Sequence, residues 1–306
     1  TAAGAQGLVA GHGGMLGTRT TEDRMGTALA VGDFDGDGYF DLAIGAPFRD
    51  ISGAADAGQV HIVRGSSTGL TASGQQLISD GTFPGSVYAA GELFGHALAA
   101  SRFDETPTDC YAFGCTDDLA VGAPGQVAGG FNNAGRVVVA YGGVGGLQTS
   151  YATFLTAFDL GSTPEAGAGL GLSLAAGRGD AEAAALWSYA DLAVGAIFED
   201  TLPSGNDGVT YLLFGAGGGV DADRQEQRLE QLPGFAVGPP QPDDNWGQTL
   251  VFGDFNGDGH GDLAVGVPGK DDGGYVDRGV VQILYGGLFN DGFEVGGPSA
   301  WSGIQP

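Results

Sequence analysis

Positive charge is almost missing from this sequence: one lysine and ten arginines stand against 37 carboxylates, a net charge of −26 over 306 residues. Phosphate-rich partners are held by lysine and arginine, so this balance excludes DNA, RNA and anionic lipid as ligands. Long apolar runs are missing too, and none approaches the roughly 20 residues that cross a bilayer as a helix, so no membrane insertion is expected. Cysteine appears only as Cys110 and Cys115, with no second pair and no nearby histidine to build a zinc site. Helical periodicity is confined to one candidate, RQEQRLEQL at 224–232. No HExxH or phosphate-cradling loop occurs, and His12, His61, His96 and His260 fall at unrelated places. Nothing at Thr1 looks like a basic-plus-apolar leader, so any secretion signal is expected to have been removed.

Glycine is what the chain has in quantity, 61 residues without a three-residue period, which argues for many tight turns. MGTALAVGDFDGDGYFDLAIGAP (25–47) returns as FGHALAASRFDETPTDCYAFGCTDDLAVGAP (94–124). It returns again as LGLSLAAGRGDAEAAALWSYADLAVGAI (170–197) and WGQTLVFGDFNGDGHGDLAVGVP (246–268). The marker glycines Gly26, Gly95, Gly171 and Gly247 lie 69, 76 and 76 residues apart. A third apolar run follows in each unit, at 59–65, 136–143, 209–215 and 280–287. These runs are short, bounded by Gly, Pro and Asp, and read as strands.

A fourth strand is placed by Leu77 and Leu229, each 18 residues before a marker glycine, and by YATFLTAF at 151–158. The same spacing applied to Gly26 lands on Leu8, which makes QGLVA (6–10) a strand with no unit of its own. The expected fold is all-β: a β-propeller of four blades, each of four antiparallel strands, with 6–10 joining the last unit to close the ring and remove its open edges. The units run about 26–94, 95–170, 171–246 and 247–290 within a single domain, and 291–306 is a tail without a counterpart.

The phrase (F/M/W/L)-G, LA-x-GDF-(D/N)-G-DG-x-x-DLA-(V/I)-G-AP and a glycine-rich third strand resembles the FG-GAP repeat of the integrin α-subunit propeller. It is also similar to repeats in bacterial surface proteins and a fungal propeller lectin. The resemblance spans 25–290 and implies an extracellular or cell-surface binding module. Integrin propellers have seven blades, and units of this length leave room for four, so functions tied to a seven-bladed interface are not implied.

The chemistry sits in the turn between the first two strands. Unit one offers Asp33, Asp35, Asp37 and Asp41 with the carbonyl of Tyr39; unit four offers Asp254, Asn256, Asp258 and Asp262 with the carbonyl of His260. Oxygen donors at the first, third and fifth positions, a glycine at the sixth and a carbonyl at the seventh match the first half of an EF-hand loop, and the ninth-position aspartate closes the set. Hard oxygen ligands select calcium, and a divalent ion relieves the repulsion among converging carboxylates, about 1 kcal/mol per pair even in water. Two calcium sites are expected.

Units two and three carry Arg102 and Arg178 in register with Asp33 and are expected to bind no metal, each guanidinium pairing with leftover acids such as Asp104, Asp118, Asp180, Glu182 and Asp191. Cys110 and Cys115 bracket an insertion that a local disulfide would pin. The RGD tripeptide at 178–180 is accounted for by the same substituted turn, and Trp246 by a core position shared with Phe94. No convergent acid, base and nucleophile stands out. A non-catalytic binding or adhesion module for an extracellular protein or glycan is therefore preferred; the alternative is a secreted enzyme, or an accessory domain of one, with a cleft at the propeller mouth.

Overall fold

The computed structural model describes residues 6–104, 110–111, 114–177, 189–201, 205–216, 218–220, 227–231 and 238–286. Four antiparallel sheets follow one another along the chain. Sheet one contains β1 (Leu29–Gly32), β2 (Asp41–Ala46), β3 (Gln59–Arg64) and β4 (Thr71–Ile78) in that order. Sheet two begins with β5 (Leu98–Ser101). After it comes a small hairpin of β6 (Cys110–Tyr111) and β7 (Gly114–Cys115), and the sheet then continues with β8 (Asp118–Ala123), β9 (Arg136–Ala140) and β10 (Ala152–Leu155). Sheet three contains β11 (Ser173–Gly177), β12 (Asp191–Ala196), β13 (Val209–Leu213) and β14 (Gln227–Leu229). Sheet four shows β15 (Thr249–Gly253), β16 (Asp262–Val267) and β17 (Val280–Leu284) among the described residues. Helix is limited there to one 3-10 turn, Asp80–Thr82, and the helical candidate at 224–232 contributes a strand instead.

The core lies between sheets. Val60, Ile62 and Phe94 meet Leu119, Val121 and Val138 at the first junction. Val137 and Val139 meet Leu192 and Val194 at the second, and Leu212 meets Trp246, Leu263 and Val265 at the third. Each second strand is covered on both faces, which is why β8, β12 and β16 read as buried runs of DLAVG(A/V) rather than an alternation.

Glycines set how closely the sheets approach. A Cβ on Gly45 would overlap the carbonyl oxygen of Gly95, and one on Gly122 that of Gly171. The same collision recurs between Gly195 and Gly247. The residue before each of the last three marker glycines is then fixed by its backbone N–H to the preceding unit. Phe94 donates to Ala57 (3.1 Å), Leu170 to Ala134 (3.0 Å) and Trp246 to Asp207 (2.9 Å).

The N-terminal segment corrects an expectation. Residues 6–10 form no strand of sheet four. Leu8 and Met15 pack instead on Ile44 and Val63 of sheet one, and the Gln6 side chain donates to the carbonyl of Leu70 at 3.0 Å. Leu8 has an apolar face to satisfy and the front of sheet one is the one within reach. Leu29 (60% exposed) and Val31 (57%) on that front remain open, as do Val251 (54%) and Val281 (69%) on sheet four.

Candidate metal centre

The first acidic turn connects β1 to β2, whose antiparallel register ends with Gly32 opposite Asp41. Its shape is set by its own carboxylates. Asp33 accepts the backbone N–H groups of Gly36 (2.9 Å) and Asp37 (3.1 Å) on one oxygen and that of Gly38 (2.8 Å) on the other. Asp35 accepts from Asp37 (3.2 Å), and Asp37 from Tyr39 (2.8 Å). Gly38 has φ 87°, a left-handed conformation that a side chain would strain. Carboxylate oxygens of Asp33, Asp35 and Asp37 consequently lie within 4.8 Å of one another. Two oxygens on one calcium-sized cation at about 2.4 Å each can be no farther apart than that sum, so the three carboxylates are close enough to share a metal ion. Arg64 from β3 enters the same cluster, paired with Asp35 and 3.7 Å from Asp41.

The fourth turn repeats this scheme. Asp254 accepts from Gly257 (2.7 Å), Asp258 (3.1 Å) and Gly259 (3.0 Å). Asn256 accepts from Asp258 (2.9 Å), and Asp258 from His260 (2.8 Å). The N–H of His260 and the Asn256 side chain hold the Asp258 carboxyl below its usual range. Asn256 takes the place of a third acid, so this turn carries one carboxylate fewer.

The ninth-position aspartates are buried and bound to the backbone in every unit. Asp41 accepts from Phe34 (3.3 Å) and Gly65 (2.8 Å), and Asp262 from Phe255 (2.8 Å) and Gly286 (2.9 Å). Asp118 accepts from Phe103 (2.7 Å) and Gly142 (2.9 Å), and Asp191 from Gly215 (3.1 Å). Units two and three keep this aspartate without the rest of the acidic pattern, so it fastens the turn to the second and third strands whether or not an ion is present. Burial pushes the Asp41 carboxyl up to about 6, and the charges of Asp33 and Asp37 add to the rise.

Burial and the charge of Asp104 raise Asp118, while Arg102 acts on Asp117. Arg178, Asp180, Glu182, Trp187 and Trp301 lie outside the described residues. The backbone register places Cys110 directly opposite Cys115. Trp246 is buried between sheets three and four, as expected of a core residue.

Sequence reasoning missed Asp117. Its carboxylate accepts the N–H of Asp33 (2.9 Å) and its own N–H donates to the Asp33 carbonyl (2.8 Å), which ties the first turn to sheet two. Its only signal is a second aspartate next to Asp118.

The family model described as FG-GAP repeat matches residues 25–63 and 246–284. The chain carries FG-GAP repeats. The two matched FG-GAP segments are the units with complete acidic turns. Phosphatidylinositol-glycan-specific phospholipase D of Mus musculus is 32% identical over 127 residues, 42% of this chain and 14% of that protein. The Bos taurus protein of the same name is 32% identical over 174 residues, 56% of the chain and 19% of its own length. Integrin alpha-PS3 of Drosophila melanogaster is 37% identical over 109 residues, 35% of the chain and 8% of that protein. The chain therefore spans less than a fifth of each of these relatives. No helix among the described residues is long and apolar enough to cross a membrane.

Proposed function

We infer that this FG-GAP chain is a calcium-stabilised extracellular binding module whose loops engage a protein or glycan. The observation that carries the reading is the convergence of Asp33, Asp35 and Asp37 in a turn whose hydrogen-bond scheme recurs at Asp254, Asn256 and Asp258. Calcium would be held by Asp33, Asp35, Asp37, Asp41 and the Tyr39 carbonyl at one turn. At the other it would be held by Asp254, Asn256, Asp258, Asp262 and the His260 carbonyl. The ion supplies charge that cancels carboxylate repulsion; the protein's own glycines and backbone donors keep the loops in shape. Calorimetric titration should give two sites, Asp33→Ala one, and the double variant with Asp254→Ala none. Three or four sites, or none, would overturn the reading.

A secreted or cell-surface setting and a protein ligand are carried over from the integrin relatives, and a Cys110–Cys115 disulfide belongs to the same setting. Closure of the four sheets into a propeller ring is part of the reading as well. It would bring Leu29 and Val31 against Val251 and Val281, the contact that each internal pair of sheets already makes. A cysteine pair introduced at Val31 and Val251 should cross-link within one chain, and failure to do so would sink closure.

The phospholipase relatives favour a second reading, an accessory or catalytic part of a secreted hydrolase. A glycan array run beside a hydrolase screen separates the two. Turnover that depends on a carboxylate outside the acidic turns would decide for the enzyme.

A further inference from the structure

A charge pair recurs at a fixed place in the repeat, between the residue three before the marker glycine and the residue four after the next-to-last residue, a glycine, of the second strand. In unit one these are Asp23 and Arg49, 2.6 Å apart. In unit four they are Asp244 and Lys270, 3.0 Å apart and both buried. The cation sits in an oxygen cage in each case. Arg49 donates to the Thr18 carbonyl (2.8 Å), the Thr20 hydroxyl (2.6 Å) and Asp23 (2.6 Å). Lys270 donates to Gln231 Oε1 (3.1 Å), the Pro239 carbonyl and Asp244 (3.0 Å). Unit three has Ala168 and Glu199 at the two positions, and Glu199 is met by Arg228 (3.1 Å) and the Tyr211 hydroxyl (2.8 Å).

Unit two keeps the buried acid of this place and lacks the cation. Its acid is Glu92, 1% exposed, and the residue in the place of Lys270 is Gln126. The backbone around them matches unit four. Gly125 donates to the Glu92 carbonyl (3.1 Å) as Gly269 does to that of Asp244 (3.1 Å). Ala89 donates to the Glu92 carboxylate (2.9 Å) as Gln241 does to that of Asp244 (2.7 Å). Glu92 Oε2, Gln126 Oε1 and Asp80 Oδ2 are buried without a hydrogen-bond partner, as Asp244 Oδ1 is beside Lys270. The nearest positive charge, Arg136, is already paired with Asp80. A buried carboxylate without a counter-charge is costly, and so is a buried amide oxygen without a donor.

We propose that the Glu92–Gln126 position is a monovalent-cation site, taking potassium or ammonium where sister units place the side-chain cation of Lys270 or Arg49. The replaced groups carry one charge, and Arg136 offsets Asp80, so a single charge is what the cluster is short of. A proton on Glu92 is the competing occupant. Burial, then the charge of Asp80, raises this carboxyl to about 7, with Ala89 and Arg136 opposing the rise. The site is therefore expected to act at mildly alkaline pH.

The test uses the full calcium-loaded chain at mildly alkaline pH, melted in potassium, ammonium or tetramethylammonium chloride at equal ionic strength. Potassium and ammonium should raise Tm by about 2 to 4 °C over tetramethylammonium, which is too large for the cage. Gln126→Lys should match or exceed the potassium value and respond to neither salt, and Glu92→Gln should also be flat. Equal melting in all three salts, or a response that survives in both variants, would overturn the proposal. If neither variant folds, rubidium-soaked crystals of the unaltered chain decide it: an anomalous peak beside Glu92 Oε2 supports the site, and its absence refutes it.

Discussion

Asp33 and Asp117 are joined by two hydrogen bonds in opposite directions, the Asp33 N–H to the Asp117 carboxylate at 2.9 Å and the Asp117 N–H to the Asp33 carbonyl at 2.8 Å. An acidic turn of one sheet is thus fixed by the next sheet. A parallel link joins Ala190 N–H to the Arg102 carbonyl at 2.7 Å, one unit further on.

Replacing Asp117 by alanine strips the Asp33 N–H of its acceptor, at a cost of about 1–3 kcal/mol. Chemical denaturation should register that loss. Calcium titration should weaken at the first turn only, because the fourth turn has no contact with Asp117. Equal weakening of both sites would contradict the link.

Phe94 is fully buried between sheets one and two. Phe94→Ala should lower stability by about 3–5 kcal/mol through lost burial and a residual cavity. The fourth-turn calcium affinity should be unchanged in whatever fraction remains folded, which calorimetry at low temperature can read.

Gly122 packs against Gly171 with no room for a methyl group. Gly122→Ala should therefore destabilise more than Gly257→Ala, where nothing lies within 4 Å of the added carbon. The second change is limited to strain at φ 77°. Thermal melts of the two variants side by side make the comparison.

Stability should fall as pH rises from about 4.5 through 7 in tetramethylammonium buffer. Glu92 is raised from 4.5 to about 7 by burial and by Asp80, so the folded state binds its proton more tightly than the unfolded chain does. That contribution is complete below 4.5 and lost above 7. Asp80, Asp118 and Glu199 are raised by burial too and reinforce the trend. Glu92→Gln should flatten the upper part of the profile, and an unchanged slope would show that Glu92 does not carry it.

Much of this was legible in the sequence because every junction makes the same demand. A glycine must sit where two backbones touch, so Gly95, Gly171 and Gly247 mark the repeat, and Leu77 and Leu229 fall in fourth strands at the expected distance. The same spacing misled at Leu8. A leucine two places after a glutamine says that an apolar face is needed without saying which sheet provides it, and Gln6 reaches Leu70, the residue before β4 of sheet one. The acidic turns were readable from local spacing alone, since Asp33, Asp35 and Asp37, and Asp254, Asn256 and Asp258 likewise, accept N–H groups from no more than five residues on. Asp117 and the Glu92–Gln126 cluster were not, because their partners come from other units and become visible only once the sheets are stacked.

The touching glycines also bear on how such an array can change over time. Where the seam is main chain against main chain it asks nothing of the loops beside it, so units two and three can shed their acidic turns while keeping their seats between neighbours. Ornament and masonry are separable here: one repeat can be re-tooled for a new ligand, or allowed to fall silent, without the rest having to be recut.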